Sequence, residues 1–317
     1  MMMPSADRSA PSASLLDGSI LDLNFLGYSE AIASYLLEGN GELALVDSGP
    51  SSCLPTLRDR LAERGLSVGD LTGVLLTHIH FDHAGATGTL VRENPRLRVY
   101  VHSAGAKHMV SPERLLASAT RLYGSAMQEM FGEFLAVPAE NLTVLNGGEK
   151  LRIAGRQVEV AYTPGHANHH VTYFDQSTGT AFVGDTTGLR IPGHDIVAPV
   201  TPPPDIDLEV WERSLAEIGR RNPSRVFLTH FGPYTNVGEH LEQTRQGMHR
   251  WADRAAKIMA ATSDNSARIT RFVKESEEEF HRALAPESAR RYVKGANATL
   301  SWLGLERYWR KRAESQT

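Results

Sequence analysis

Short apolar runs bounded by glycine, proline or polar residues recur through most of the chain before its C-terminal part. Runs of this length that are rich in branched and aromatic residues are typical of β-strands. The turn residues between them, such as Gly39-Asn40-Gly41, indicate where one strand turns into the next. The pattern predicts strands at 20–25, 33–38, 42–47, 74–76, 98–102, 142–145, 149–153, 157–162, 171–174, 180–183 and 225–229.

Other stretches carry their apolar residues at helical spacing. Helices are predicted at 53–64 and 84–93, and the region 237–317 reads as helical throughout. Residues 1–16 are rich in serine, alanine and proline without an apolar core, so we expect a disordered leader there. Strands and helices that alternate in this way indicate an α/β protein.

The segment at about 103–135 interrupts this alternation. Ser111-Pro-Glu is typical of a helix start. Apolar residues then follow at mostly helical spacing, namely Leu115, Leu116, Leu122, Tyr123, Met127, Met130, Phe131 and Phe134. Two interpretations remain open and do not exclude each other. The stripe is either the packed core of an inserted helical pair or a lid whose side chains line an adaptable apolar pocket.

Composition narrows the class of protein. The chain has 317 residues, of which 41% are hydrophobic and 22% charged, as in ordinary globular proteins. The single cysteine, Cys53, excludes an internal disulfide framework and fits a reducing compartment, so we expect a cytoplasmic protein. No apolar stretch reaches the roughly 20 residues of a membrane span. The net charge of −4 gives no electrostatic reason to expect a nucleic-acid partner.

Candidate chemistry concentrates where the strand at 74–76 ends. His78, His80, Asp82 and His83 fall within six residues there. In an extended chain, side chains two positions apart point to the same side, so the first two histidines should face together. Imidazole and carboxylate are ligands that suit zinc, iron or manganese, whereas a soft-metal site would use cysteines. The sequence therefore predicts a metal site at this strand end.

Three later strands also end at a residue of ligand type. His166 follows the strand at 157–162, Asp185 follows the strand at 180–183, and His230 follows the strand at 225–229. Together with the first motif they make seven candidate ligands, five imidazoles and two carboxylates. A set of this size suffices for two metal ions.

The motifs Thr-His-x-His-x-Asp-His, Thr-Pro-Gly-His, Gly-Asp and Thr-His, in this order, resemble those of the metallo-β-lactamase superfamily. The resemblance implies an αββα sandwich whose catalytic domain spans 17–236, with a helical insertion at about 103–135 and a helical C-terminal region at 237–317. It also implies a division of the ligands: one metal held by His78, His80 and His166, the other by Asp82, His83 and His230, and both bridged by Asp185.

The function that the resemblance implies is that of a dinuclear metal-dependent hydrolase, in which a metal-bound hydroxide attacks a thioester, an ester or a lactone. Asp82 would be the catalytic residue that orients the hydroxide and takes up its proton. Zinc is the expected metal, with iron or manganese as alternatives. Thr-Pro-Gly-His-Ala-Asn-His-His and the helical C-terminal region resemble the glyoxalase II-like group, which favours thioesters.

Two other chemistries of the same superfamily are alternatives. One is a mononuclear non-haem iron dioxygenase of the persulfide type. The other is a phosphodiesterase or nuclease, against which the acidic charge balance counts. We expect a small-molecule substrate, neither a nucleic-acid nor a membrane partner, and leave open a homo-oligomer.

Supporting roles are less specific. Asp47 either caps a helix or turn, or lies behind the metal site as the resemblance implies, and His170 is a candidate for a similar supporting role. Candidate substrate contacts are Tyr123, Met127, Phe131 and Arg190. The arginine either pairs with a substrate carboxylate or is an ordinary exposed residue. The other histidines, including His108, are expected to be structural or at the surface.

Overall fold

The computed structural model describes residues 19–315, so the predicted leader lies outside the described residues. Two six-stranded sheets face each other, and the strands of each sheet follow one another in chain order. The first sheet contains β1 (Ile20–Asp22), β2 (Ala33–Gly39), β3 (Glu42–Val46), β4 (Gly73–Leu75), β5 (Arg98–His102) and β6 (Leu142–Leu145). Strand β2 is antiparallel to both of its neighbours, β1 and β3, and strands β3 to β6 are parallel to one another.

The second sheet contains β7 (Lys150–Ile153), β8 (Arg156–Tyr162), β9 (Val171–Asp175), β10 (Thr180–Phe182), β11 (Arg225–Phe227) and β12 (Pro233–Tyr234). Neighbouring strands are antiparallel except β10 and β11. A parallel pair needs a long crossover, and the helix Leu208–Arg221 lies within the one that joins these two strands. Strands β8, β10 and β11 consequently run in one direction and end at the same edge of the sheet.

Helices cover the outer faces of both sheets. Their bounds are Leu54–Ala62, Phe81–Ala84, Thr87–Glu93, Ser103–Val110, Glu113–Tyr123, Ala126–Phe131, Leu208–Arg221, Val237–Ala261, Asn265–Ala283, Pro286–Ala296 and Ala298–Glu314. Short 3-10 turns occur at Phe25–Gly27, Ser51–Cys53, Val68–Asp70 and Ala139–Asn141. Among the described residues, no helix combines the length and the apolar character needed to cross a membrane.

Successive residues of a strand place their side chains on opposite faces of the sheet, and therefore in different apolar cores. Tyr35 and Leu75 belong to the apolar core between the two sheets, whereas their neighbours Leu36 and Val74 pack under the helices of the first sheet. The α/β sandwich expected from the sequence is therefore confirmed. A hydrogen bond of 2.8 Å from the Tyr173 hydroxyl to the carbonyl of Leu76 joins the sheets directly behind the predicted metal motif.

The C-terminal helices share the apolar core on the outer side of the second sheet. Trp251 and Trp302 are fully buried there, in the same core cluster as Trp211 of the helix Leu208–Arg221 and Val226 of β11. The C-terminal helices therefore pack directly against the sandwich.

Several predicted element bounds were wrong. Strand β1 ends at Asp22, because Asn24 and Leu26 adopt positive φ angles of 50° and 52° and turn the chain into a 3-10 turn. The predicted helix at 84–93 is two pieces, with a single turn preceding the longer part. The insertion contains three helices instead of a pair, and Pro112 is the cap residue of its second helix, so Ser111 does not cap it.

Candidate metal centre

The seven predicted ligands come from strand ends that meet at one edge of the sandwich. Strand β4 leads to His78 and His80, and the single helical turn Phe81–Ala84 then carries Asp82 and His83. The other three ligands follow strands β8, β10 and β11, which end at the same edge of the second sheet. The fold brings all seven predicted ligand residues together in three overlapping groups.

Three imidazoles form the first group. The Nε2 atom of His78 lies 2.9 Å from Nδ1 of His80, which in turn lies 3.1 Å from Nε2 of His166. Nitrogen atoms this close converge on a common point, as the ligands of a single cation do. We call His78, His80 and His166 the three-histidine half.

A carboxylate and two imidazoles form the second group. Nε2 of His230 lies 3.2 Å from Oδ2 of Asp82, and Nε2 of His83 lies 3.8 Å from the same oxygen. We call Asp82, His83 and His230 the Asp82 half.

Asp185 lies between the two halves. Its Oδ1 is 3.2 Å from Nε2 of His83 and 3.5 Å from Nε2 of His230, whereas its Oδ2 is 3.5 Å from Nε2 of His166. Each carboxylate oxygen therefore faces one half.

The donor set fits a pair of divalent cations. Both His83 Nε2 and Asp185 Oδ1 are buried, yet neither has a hydrogen-bond partner among the described residues. Buried polar atoms are rarely left unpaired, so these two atoms fit a ligand-binding role. Nitrogen and oxygen donors without sulfur suit zinc, iron or manganese.

Burial keeps the three-histidine half neutral. Burial, followed by the neighbouring histidines, lowers the pKa of His78 well below its usual value and that of His80 to about 3. Burial also lowers the pKa of His166, although Asp185 opposes it. Neutral imidazoles have a free lone pair, so no proton must leave before these three nitrogens bind a cation.

The Asp82 half has the opposite balance. Burial alone would lower the pKa of His83, but the carboxylates of Asp185, Asp47 and Asp82 outweigh it and raise the pKa well above its usual value. The pKa of His230 is also raised, by Asp185 and Asp82 against burial. Burial would raise the pKa of the Asp82 carboxyl, but His83 and His230 hold it well below its usual range.

Asp47 supports the Asp82 half from behind. It is fully buried, and its Oδ2 accepts a hydrogen bond of 2.7 Å from Nδ1 of His83. Thr229 donates to the same oxygen at 2.8 Å, and the backbone N–H of Thr77 donates to Oδ1 at 2.8 Å. The sequence-based alternative of a helix cap is wrong, because the following helical elements are capped by Pro50 and Cys53.

Hydrogen bonds to groups outside the metal centre orient other ligand residues. Nδ1 of His166 donates to the carbonyl of Val200 at 2.8 Å, and Nδ1 of His230 donates to the carbonyl of Ala31 at 3.0 Å. These bonds leave Nε2 of each ring directed at the site. Fully buried His170 accepts the backbone N–H of Asp185 at 3.2 Å through Nε2, so it holds the bridging carboxylate's backbone.

The centre opens into a cavity of about 790 Å³. His80, Asp82, Asp185 and His230 reach its surface. The helical insertion, the 3-10 turn Phe25–Gly27, the loop at 200–205 and the C-terminal helices contribute to its other walls. A cavity of this size is in the range of small-molecule sites.

Two of the four predicted substrate contacts line this cavity and two do not. Tyr123 and Phe131 line it, with ring centroids 4.9 Å apart. Met127 lies on the insertion but outside the lining, where its sulfur accepts the Thr120 hydroxyl. The insertion is both core and cavity wall, since Phe131 is 4% exposed within the core of the first sheet.

Arg190 also lies outside the cavity lining, so neither sequence-based alternative for it agrees with the structure. Its guanidinium stacks 4.3 Å from the ring centroid of Tyr234 and donates to Asp195 at 2.5 Å. The side chain is 11% exposed, so it is no ordinary surface residue.

The sequence profile that describes the metallo-beta-lactamase superfamily matches residues 29–230, a span that contains all seven ligands. This chain belongs to the metallo-beta-lactamase superfamily.

Similar proteins differ in how much of the chain they cover. The metallo-beta-lactamase fold-containing protein ST1585 from Sulfurisphaera tokodaii is 26% identical over 68% of this chain and 79% of its own length, and its crystal structure aligns with a TM-score of 0.56. A metallo-beta-lactamase family protein from Thermus thermophilus, TTHA1429, is 24% identical and shares the fold over 94% of this chain and 95% of its own, with a TM-score of 0.67. A hydroxyacylglutathione hydrolase from Synechococcus sp. (strain JA-3-3Ab) is 32% identical, but over 45% of this chain and 43% of its own length.

Sequence reasoning missed several residues of this superfamily member's cavity. His169 lines the cavity, and its ring stacks on that of His78 with centroids 6.0 Å apart, whereas the sequence assigned it no specific role. Lys107, His108 and Arg114 line the cavity from the insertion. Their positions follow from how the insertion packs, and no local motif marks them. For His169, the adjacent ligand His166 was the one available signal.

Proposed function

We propose that this protein is a dinuclear metal-dependent hydrolase that cleaves a thioester or another carboxylic ester, with lactones as the next class. The observation that carries the proposal is the division of the ligands around Asp185. Its two carboxylate oxygens face different halves, at 3.2 Å from His83 and 3.5 Å from His166. A carboxylate in this position suits two adjacent cations better than one.

Two divalent ions, when bound, would supply hydroxide near neutral pH by lowering the pKa of water from 15.7 toward roughly 7, and would polarise a carbonyl oxygen. The chain's own residues would do the rest. Asp82 lines the cavity at the centre, where its carboxylate can orient the attacking water and take up its proton. The apolar residues around it, such as Phe81 and Phe131, would limit the access of bulk water to the reacting ester.

The thioester class rests on the comparison with hydroxyacylglutathione hydrolase. The name of that protein describes hydrolysis of an acyl group from glutathione, which is thioester chemistry. The similarity spans less than half of either chain, so the thioester class is a proposal for this protein. Zinc, a cytoplasmic location and a small-molecule substrate also stay predictions, with iron or manganese as the alternative metals.

The test is a substrate panel with the metal-loaded protein and with Asp82→Asn. The panel contains a thioester, an oxygen ester, a lactone, a phosphodiester and a persulfide. We expect turnover of the thioester or ester, lost in the variant. Turnover of the phosphodiester alone, or oxygen consumption with the persulfide, would overturn the proposal in favour of the nuclease or dioxygenase chemistry of the same superfamily.

A further inference from the structure

The cavity above the metal centre has two chemically different walls. We propose that its substrate is amphiphilic, with an apolar acyl group of medium length on one wall and a leaving group that carries phosphate or carboxylate on the other. The proposal rests on the hydrolase function proposed above and names its substrate class.

The apolar wall lies beside the Asp82 half. Phe131 is its centre, with ring centroids 6.2 Å from Phe25, 5.6 Å from Phe81 and 4.9 Å from Tyr123. Phe81 directly precedes Asp82 in the chain, which places this cluster next to the proposed base. All four rings line the cavity.

Part of this wall is exposed although it is apolar. Leu26 is 47% exposed and lines the cavity beside the half-buried Phe25. Exposed apolar surface that lines a concave site is typical of a surface that a ligand covers. A cavity of about 790 Å³ also offers far more room than an acyl group of two or three carbons fills.

The basic wall lies beside the three-histidine half. Lys107, His108 and Arg114 come from the helical insertion and line the cavity. Lys107 and His108 are consecutive residues of the helix Ser103–Val110, and Arg114 lies in the first turn of the helix that follows it. Burial, and then the charges of Lys107 and Arg114, lower the pKa of His108, so the positive charge of this wall comes from Lys107 and Arg114. The helix Ser103–Val110 that carries Lys107 and His108 packs on His169, because a Cβ atom added at Gly105 would lie 3.3 Å from the Cβ atom of His169. The cluster therefore adjoins the metal centre.

The basic wall is largely unpartnered. Among the described residues, no ion pair or side-chain hydrogen bond involves Lys107 or Arg114, and Asp205 is the carboxylate that faces the cluster. Two other cations of the cavity are engaged. Arg291 donates to the carbonyl of Ser29 at 2.9 Å and pairs with Glu30 at 3.4 Å, and Lys294 donates to the Tyr28 hydroxyl.

The difference between the partnered and the unpartnered cations indicates where an anionic group of the substrate would bind. Arg291 and Lys294 join the C-terminal helix Pro286–Ala296 to the loop before β2, whereas Lys107 and Arg114 keep their charges for a ligand. An anionic group of the substrate would therefore be held on the insertion, with the ester carbonyl over the metals and the acyl chain on the apolar wall.

The experiment compares thioesters that differ in one property at a time. Acetyl and octanoyl groups are each joined to three thiols that act as leaving groups. Coenzyme A carries phosphates, glutathione carries carboxylates, and N-acetylcysteamine carries no charge. We expect the octanoyl esters to have the lower KM, by about fourfold for each methylene that becomes buried. At low salt the charged leaving groups should lower KM about tenfold relative to the neutral one, and added salt should narrow this gap.

Variants locate the two walls. In Lys107→Gln/Arg114→Gln, KM for the charged octanoyl thioesters should rise about fivefold relative to KM for the neutral octanoyl thioester. Arg121→Gln is the matched control, because Arg121 is an exposed cation on the same helix as Arg114 but lies outside the cavity. Leu26→Ser should reduce the preference for octanoyl over acetyl thioesters. The control is Val144→Ser, which should leave this preference unchanged because Val144 is 50% exposed but lies outside the cavity.

Binding is measured without turnover, using S-octylglutathione and S-octyl-N-acetylcysteamine in calorimetry with the metal-loaded protein. Tighter binding of the charged thioether that is lost in Lys107→Gln/Arg114→Gln supports the proposal even if no thioester is hydrolysed, in which case the hydrolase function alone fails. Equal binding and equal KM for charged and neutral compounds, or a preference for acetyl over octanoyl, would overturn it.

Discussion

The two halves of the metal centre contain similar ligands but differ in charge. In the three-histidine half, burial keeps His78, His80 and His166 neutral, and no carboxylate belongs to the group. In the Asp82 half, two histidines have raised pKa values because Asp185 and Asp82 lie against them. Metal ligands must be deprotonated to bind. The first half is therefore ready for a cation at neutral pH, whereas the second must release protons to accept one.

The difference extends to the surroundings. The Asp82 half carries the candidate base and adjoins the aromatic wall, and Asp47 fixes it from behind through His83. The three-histidine half adjoins His169 and the basic side of the insertion. We infer that the first half anchors one metal and that the Asp82 half is where the activated water is controlled.

The largest effect is expected for Asp82→Asn. The variant keeps the shape of the side chain but removes its charge and basicity, so turnover should fall at least about a hundredfold. Metal analysis should still find the ion of the three-histidine half. Asp195→Asn, whose side chain is 90% exposed outside the cavity, is the control. Turnover near the wild-type level in Asp82→Asn would remove Asp82 from its assigned role.

Asp47→Asn should act on one half only. The amide cannot accept the His83 Nδ1 proton as strongly as the carboxylate does at 2.7 Å, so the orientation and basicity of that ligand should suffer. We expect the affinity of the weaker metal to fall about 10–100-fold while the tighter one is unchanged. Competition with a metal chelator measures both. An equal loss at both positions would contradict the separation of the halves.

Metal binding at the two halves should also respond differently to pH. As pH falls below the raised pKa values of His83 and His230, protons compete with the second cation, so its affinity should drop about tenfold per pH unit for each proton displaced. The lowered pKa values of His78 and His80 keep the first cation bound over the same range. Metal titrations at several pH values would test this, and parallel pH profiles would contradict it.

The smallest effect is expected from the wall beside the Asp82 half. Phe131→Leu should change the ranking of acyl groups by about 1 kcal/mol, roughly fivefold in relative kcat/KM, because one aromatic contact is lost. Metal content should be unchanged. Met127→Ala on the same helix is the matched control, since Met127 does not line the cavity. If both variants alter the ranking equally, the effect comes from packing of the insertion.

The sequence was most informative where the chemistry is local. His78, His80, Asp82 and His83 lie within one strand end, and each other ligand follows a strand directly, so their convergence could be expected from the strand pattern. The αββα sandwich was expected from the resemblance of these motifs to the metallo-β-lactamase superfamily, because alternating strands and helices alone indicate no more than an α/β protein.

What the sequence could not provide depends on packing between distant segments. Arg190 follows a predicted ligand closely, yet it stacks on Tyr234 and does not line the cavity. Lys107 and Arg114 lie in the insertion, where the sequence pattern indicated only a stripe of apolar residues. The packing of three short helices brings both side chains to the cavity. The choice between a cap and a supporting role for Asp47 likewise required the position of His83.

We infer that the centre holds two metals with unequal roles. The most direct test strips the protein of metal, adds back zinc in steps near neutral pH, and records bound metal and thioester hydrolysis in parallel. Bound metal should reach two per chain, and hydrolysis should rise mainly with the second equivalent, which fills the Asp82 half. Hydrolysis by the metal-free protein, or full activity with binding that stops at one equivalent, would contradict it.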